Sequence, residues 1–222
     1  AAIKNYKKYL EKNADNNLAR QIGAFSMKEK NYPEAVRYYG LVTGADATSV
    51  DFLKAYAEAS YAAKDDFKSY QIYKQLAQQT PNDASVYKKL SEISKRAGTK
   101  DEVLLYLKKY TSLVPNDAAA QKQLGDMLYE KKDGPGAIAA YRAVIKADPA
   151  AKGFYAKYAE LVMASGNDSE IVTALSGAIA AGEADVKMYT RLGDIYVKRA
   201  ETIIVNKKNP KTAVQKQENY DK

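Results

Sequence analysis

The side chains most often used for catalysis are either missing from this chain or stand in the wrong company. Its 222 residues include no cysteine and no histidine. That removes disulfides, thiol nucleophiles, imidazole acid–base pairs and metal sites built on Cys or His. Ser85-Val86-Tyr87-Lys88 has the Ser-x-x-Lys spacing in which a lysine can activate a hydroxyl, yet no companion motif accompanies it. Gly134-Pro135-Gly136 lacks the preceding strand and the following Lys-Ser/Thr of a phosphate-cradling loop, and reads as a turn. Asn167-Asp168-Ser169 fits a glycosylation sequon, but Asn167 is also placed to cap a helix. No residue emerges as a candidate for catalysis, a metal or a cofactor, and the expectation is a protein without enzymatic chemistry of its own.

What remains is charge and exposed aromatic surface. Lysine and arginine number 35 against 27 acidic residues, for a formal net charge of +8. A basic chain can bind an anionic polymer, such as nucleic acid or polysaccharide, or an anionic membrane surface by Coulomb attraction. The acidic residues are interspersed with the basic ones, which favours a protein or extended peptide as partner over nucleic acid and leaves binding of an anionic polymer or anionic membrane surface as the alternative. No run of 18 apolar residues exists, so no membrane-spanning helix is expected. The absence of cysteine suits the cytoplasm and a bacterial periplasm or cell envelope alike. Nothing in the sequence sets the oligomeric state.

The elements that position these side chains repeat. Pro81, Pro115 and Pro149 lie 34 residues apart, and the first two open the same tetrapeptide, Pro-Asn-Asp-Ala. Placing those prolines at position 32 gives copies at 16–49, 50–83, 84–117, 118–151 and 152–185, then a partial copy from 186. Position 8 is small throughout: Gly23, Ala57, Ser91, Gly125, Ala159 and Gly193. Only small residues let two helices approach closely where they cross, so this column marks the contact within each helix pair. Position 24, on the second helix, carries the large partners Tyr39, Tyr73, Leu107, Tyr141 and Leu175. Two helices of this length cannot bury both apolar stripes alone, so neighbouring copies must stack.

Between the helices, Asn31 with Glu34, Thr99 with Glu102 and Asn167 with Glu170 read as capping boxes. Gly98 and Gly166 are placed to end the preceding helix in a left-handed conformation. Residues 1–15 read as a second helix without its first, or as a capping helix. Residues 186–205 read as a capping helix, and 206–222 as a polar basic tail or truncated linker.

In these columns the chain resembles the tetratricopeptide repeat (TPR) family, whose pattern has small residues at 8, Gly at 15, an aromatic at 24 and Pro at 32. The likeness covers residues 16 to 200. It departs where Ala19, Leu53 and Gln121 replace an aromatic at position 4 and where Ala47 and Glu183 replace the proline. The resemblance implies an all-α helical-repeat solenoid, a right-handed superhelix of antiparallel helix pairs. It also implies a scaffold or adaptor role, for example in a bacterial assembly or export system, with partners held in a concave groove lined by the first helix of each pair.

On that face, position 5 is basic, with Lys54, Lys88 and Lys122, and position 9 is acidic, with Glu58, Glu92, Asp126, Glu160 and Asp194. A pair such as Lys54 with Glu58, four residues apart on a helix, is read as a solvated ion pair worth about 0.3 kcal/mol. Position 12 adds Met27, Tyr61, Tyr129 and Met163, which the core stripe does not need and which are expected to anchor a partner. Some family members clamp a peptide's terminal carboxylate with basic residues at set positions of three successive repeats. The basic positions are matched here by Lys122, Lys187 and Arg191, with Asp126 and Lys157 where the family has asparagine.

Overall fold

Stop and start signals cut the chain into helices of 8 to 14 residues, followed by one of 23. The computed structural model describes residues 2–164 and 167–208, and among these there is helix and turn but no strand. Two compact units divide the chain, Ala1–Pro115 and Asn116–Lys222. The first holds α1 (Ala2–Leu10), α2 (Asn16–Lys28), α3 (Tyr32–Tyr39), a 3-10 turn (Gly44–Thr48), α4 (Val50–Ala62), α5 (Asp66–Gln79), α6 (Ala84–Arg96) and α7 (Lys100–Leu113). The second holds α8 (Ala118–Glu130), α9 (Gly134–Ala147), α10 (Tyr155–Met163), α11 (Asp168–Ala181) and α12 (Val186–Lys208). Helices pair in sequence, α2 with α3 through α10 with α11, and within each unit the second helix of one pair packs on the first of the next. This is the expected all-α stack of helix hairpins.

Each hairpin turn is built from two local devices. The first is a left-handed residue that stops the leading helix: Lys30, Lys64 and Lys132 have φ of 57°, 59° and 61°, and Gly98 has 75°. All four stand at position 15. The amide after each one donates to a carbonyl five residues back, as from Asn31 to Ser26 at 2.8 Å and from Asp133 to Leu128 at 2.9 Å, closing a Schellman motif. The second device is the cap at position 16. The side chains of Asn31, Asp65, Asp133 and Asn167 accept from amides of the following turn.

Thr99 departs from the expected capping box. Its hydroxyl donates to Glu102 Oε2 at 3.0 Å, with Ser94 O a second acceptor within reach at 3.2 Å, and makes no cap bond. Pairing with a carboxylate is stronger for a hydroxyl than accepting from one amide. Gly166 and the stretch 209–222 lie outside the described residues, and α12 runs to Lys208, into what reads from sequence as a tail.

Packing explains the small-residue column. A Cβ added to Gly23 would sit 2.5 Å from Tyr39 Cε1, and one added to Gly125 would sit 2.5 Å from Tyr141 Cε1. The position-24 ring therefore lies on the backbone of the first helix. Tyr39 and Tyr141 are buried, as are Leu76, Leu90, Val144 and Leu175 elsewhere in the helix pairs. Gly193 breaks the column: it is exposed, with nothing within 4 Å of its added Cβ, because among the described residues no second helix crosses α12 there.

Candidate functional site

The first-helix faces carry a side-chain arrangement that occurs twice. In the first unit, Tyr61 on α4 donates its hydroxyl to Glu92 Oε2 on α6 at 2.8 Å. Lys89 Nζ lies 3.9 Å from the centroid of the Tyr61 ring and Arg96 Cζ lies 4.2 Å from it. Arg96 is in turn held by Asp66. In the second unit, Tyr129 on α8 donates to Glu160 Oε2 on α10 at 2.5 Å, and Lys157 Nζ lies 5.7 Å from its ring centroid. Desolvation, and then the bond to Glu92, raises the Tyr61 pKa; the bond to Glu160 raises that of Tyr129. Both stay protonated donors with half-buried rings, and the π face attracts two cations at Tyr61 and one at Tyr129.

The acidic row is occupied from within. Glu58 accepts from Tyr73 at 2.7 Å and Asp126 from Tyr141 at 3.0 Å. With Glu92 and Glu160, four position-9 carboxylates are bonded to tyrosine hydroxyls. Burial raises the pKa of Tyr73 and Tyr141, and their carboxylate partners add to the shift. The expected Lys54–Glu58 pair does not form. Lys54 reaches the next pair instead and bonds Asp83 at 2.8 Å, while Glu58 is taken by Tyr73.

Asp126 is the most heavily engaged of the four. It receives Lys157 Nζ at 2.6 Å and Lys122 Nζ at 3.1 Å as well as the Tyr141 hydroxyl. Burial pushes its carboxyl up, but the bonds from Lys157, Lys122 and Tyr141 outweigh that and hold it below the ordinary carboxylate range. The structure thus brings Lys122, Asp126 and Lys157 together. Arg191 faces Asp168 at 3.7 Å instead, and Lys187 is exposed. The Asp126 carboxylate lies between the two lysines and pairs with both.

The remaining sequence candidates are scattered. Met27 is half-buried against the core beneath α2 and α3, and Met163 is half-buried at the end of α10. Lys88 is exposed, 5.6 Å from the Tyr110 ring centroid, and Asp194 is exposed on α12. Ser85 donates to Asp83 Oδ1 at 2.6 Å as part of a helix cap, so its Ser-x-x-Lys spacing creates no activated hydroxyl.

One place on this face escaped sequence reading. Asn17, Arg20, Gln21, Ala24, Tyr39, Phe52 and Ala55 line a depression of about 460 Å³ between α2 and α4. Arg20 stacks on Phe52 at 5.6 Å and, among the described residues, forms no ion pair. The signal was present in the column at position 9, where the first copy alone has alanine, Ala24, in place of an acid. Without that acid the cation is left facing the depression.

Among the described residues, no three acidic side chains are grouped to hold a metal ion, and no helix is long and apolar enough to cross a membrane.

Solved structures place this architecture. YrrB, described as a TPR protein with an unusual peptide-binding site, matches at a TM-score of 0.55 and 15% identity, over 85% of this chain and 97% of that one. A MamA structure designated AMB-1 matches at 0.56 and 19% identity, over 79% and 96%. MamA from Desulfovibrio magneticus RS-1 matches at 0.52 and 16% identity, over 76% and 93%. No protein-family model and no curated protein matches the sequence. The chain has the helical-repeat fold of tetratricopeptide-repeat proteins.

Proposed function

We propose that this protein is a non-enzymatic scaffold that holds an extended peptide or partner segment on its first-helix faces. One observation carries the reading: on a face where Lys54, Lys122 and Lys157 are already paired with acids, Arg20 is left unpaired in a depression floored by Phe52 and Tyr39. An acidic group on the partner would meet the Arg20 guanidinium by a charge-assisted hydrogen bond, and an adjacent apolar side chain would lie on Phe52 and Ala55. The half-buried rings of Tyr61 and Tyr129 offer further aromatic contact area at low entropic cost. The peptide-binding site named for YrrB supports this reading by likeness of fold.

The test begins with peptides selected by display from a random linear library. Their affinities are then measured by fluorescence polarisation against the natural chain, Arg20→Ala, and the Tyr61→Ala, Tyr129→Ala double variant. Selected peptides should carry an acidic residue next to an apolar one. Arg20→Ala should weaken them about tenfold, the scale of one charged hydrogen bond. Unchanged affinity in both variants would reject the assignment. Binding that instead collapses between 50 and 200 mM salt for any polyanion, and ignores these residues, would support the alternative based on the +8 charge.

A further inference from the structure

Two seams between successive copies are built from the same aromatic set. Tyr141 on α9 faces Phe154 and Tyr158 of the next copy, with ring centroids 5.4 and 6.2 Å away. Tyr39 on α3 faces Phe52 and Tyr56, at the same two repeat positions, at 5.7 and 6.0 Å. Both tyrosines also lie on a position-8 glycine in the same way. A Cβ added to Gly125 would meet the Tyr141 Cε1 and Cδ1 at 2.5 and 2.7 Å, and one added to Gly23 would meet those atoms of Tyr39 at 2.5 and 2.6 Å. The Tyr39 hydroxyl therefore stands over α2 as the Tyr141 hydroxyl stands over α8.

What the two hydroxyls meet differs. Over α8, Tyr141 donates to Asp126 Oδ1 at 3.0 Å, Lys122 holds Oδ2 at 3.1 Å from one turn earlier, and Lys157 of the next copy closes on Oδ1 at 2.6 Å. Over α2, Ala24 takes the place of Asp126 and Ala55 that of Lys157, while both donors of the hairpin are kept: Arg20 for Lys122 and Tyr39 for Tyr141. The depression of about 460 Å³ opens where those two side chains are missing, and Arg20, Tyr39, Ala24 and Ala55 all line it. Tyr39 is only 4% exposed, yet among the described residues its hydroxyl makes no hydrogen bond. The corresponding hydroxyls of Tyr73 and Tyr141 both reach a carboxylate. Burial raises the Tyr39 pKa against the pull of the nearby Arg20 charge, so the group stays a donor. A buried donor and a cation thus converge on a place with no acceptor.

We propose that the depression is a carboxylate site, in which a partner's acid sets one oxygen on the Tyr39 hydroxyl and the other on the Arg20 guanidinium, as Asp126 does with Tyr141 and Lys122. The inference rests on the peptide-holding role proposed above and names the chemical group and the second donor that role uses here. Both donors come from one hairpin, α2 and α3. Two oxygens sharing one charge suit a pair of donors of which one is cationic. A phosphate dianion would bring a second charge without a second cation to meet it, and leaving that charge partly buried is costly.

Nuclear magnetic resonance titration of the full 222-residue chain reads the site through the Arg20 Nε–H signal, assigned by its loss in Arg20→Lys. Four probes are compared: N-acetylaspartate N-methylamide, whose one carboxylate is a side chain; N-acetylleucine, whose carboxylate is terminal; the neutral N-acetylasparagine N-methylamide; and inorganic phosphate. At least one carboxylate should move the signal to saturation, and which one does so shows the part of a partner that supplies the acid. The neutral amide should not move it, and phosphate should bind more weakly. Tyr39→Phe keeps the ring over Gly23 and should weaken carboxylate binding about tenfold. Ala24→Glu returns a position-9 acid at an exposed helical site. It should abolish the response and melt higher at neutral pH than Ala24→Gln, a side chain of the same size. A signal that no carboxylate moves, phosphate binding at least as tight, an unchanged Tyr39→Phe, or an Ala24→Glu that still responds or melts no higher than Ala24→Gln would each overturn the proposal. The peptide reading fails separately. Saturable carboxylate binding with no library peptide bound would uphold the site without that reading, whereas peptides that need Arg20 yet bind equally well after their acids are exchanged for amides would uphold the reading and overturn the site.

Discussion

Replacing Lys30, Lys64 and Lys132 with glycine should make this protein more stable, although each change deletes a side chain. All three lysines hold the left-handed conformation that ends a leading helix, with φ between 57° and 61°, and all three are exposed. A non-glycine residue held there costs about 1–2 kcal/mol because Cβ crowds the following carbonyl. Glycine removes that crowding but gives back about 0.5–1 kcal/mol through the greater freedom of the unfolded chain. The difference is a gain of about 0.7 kcal/mol per site and about 2 kcal/mol for the triple variant, a rise in melting temperature of about 5 °C at this chain length. Gly98, at the same turn position with φ of 75°, supplies the reverse experiment: Gly98→Lys should lose about as much as one of the others gains. Thermal melts measure the sum. Because repeat arrays need not unfold in one step, hydrogen exchange at the Asn31, Asp65 and Asp133 amides, which close the Schellman bonds, reads each turn separately. If the triple variant melts no higher than the natural chain while Gly98→Lys melts lower, the conformational argument fails and the lysine side chains stabilise the turns in another way.

Two further outcomes follow from packing and charge. Gly125→Leu should destabilise by about 3 kcal/mol in urea titration, because even its Cβ meets the Tyr141 ring, which is itself buried; loss of less than about 1 kcal/mol would mean that the ring is free to move. Acid should weaken the fold in a defined window. Bonds from Lys7 to Glu34, Tyr70 to Glu102 and Arg142 to Glu170 lower those three carboxyl pKa values, and Asp126 is lowered as well. Their stabilisation is complete above the unfolded carboxylate value of about 4 and is lost as pH falls through the lower folded values. Urea midpoints should therefore be flat from pH 7 to 5 and drop below pH 4, whereas a drop beginning above pH 5 would contradict these assignments.

The hairpin stack was legible because it rests on a period. A small residue at 8 and a ring at 24 recur often enough to be read without knowing any contact, and Tyr39 over Gly23 or Tyr141 over Gly125 is what that pairing means in space. The faces were harder to read for a physical reason. A helix period shows which side a residue is on but not which neighbour satisfies it. Tyr61 and Glu92 are 31 residues apart, as are Tyr129 and Glu160, so their bonds cross from one copy to the next and are invisible within a single copy. Lys54 and Glu58 looked like partners because they are four apart, yet each finds a better-placed group on another helix. Left-handed lysines at the turns were missed because only glycine announces that conformation. The exposure of Gly193 was hidden as well, since its column marks a crossing without saying whether a second helix arrives.

The Tyr61, Lys89 and Glu92 set and the Tyr129, Lys157 and Glu160 set are displaced by 68 residues, as are Glu34, Glu102 and Glu170. One junction between successive copies inside each unit is therefore of the same kind. Cutting out one of the four copies that form these junctions would part Tyr61 from Glu92 or Tyr129 from Glu160 and strand a hydroxyl or a carboxylate, whereas removing the two copies of a junction together takes both partners away. Lengthening or shortening such a chain, by a gene's history or a designer's hand, meets least resistance in steps of two.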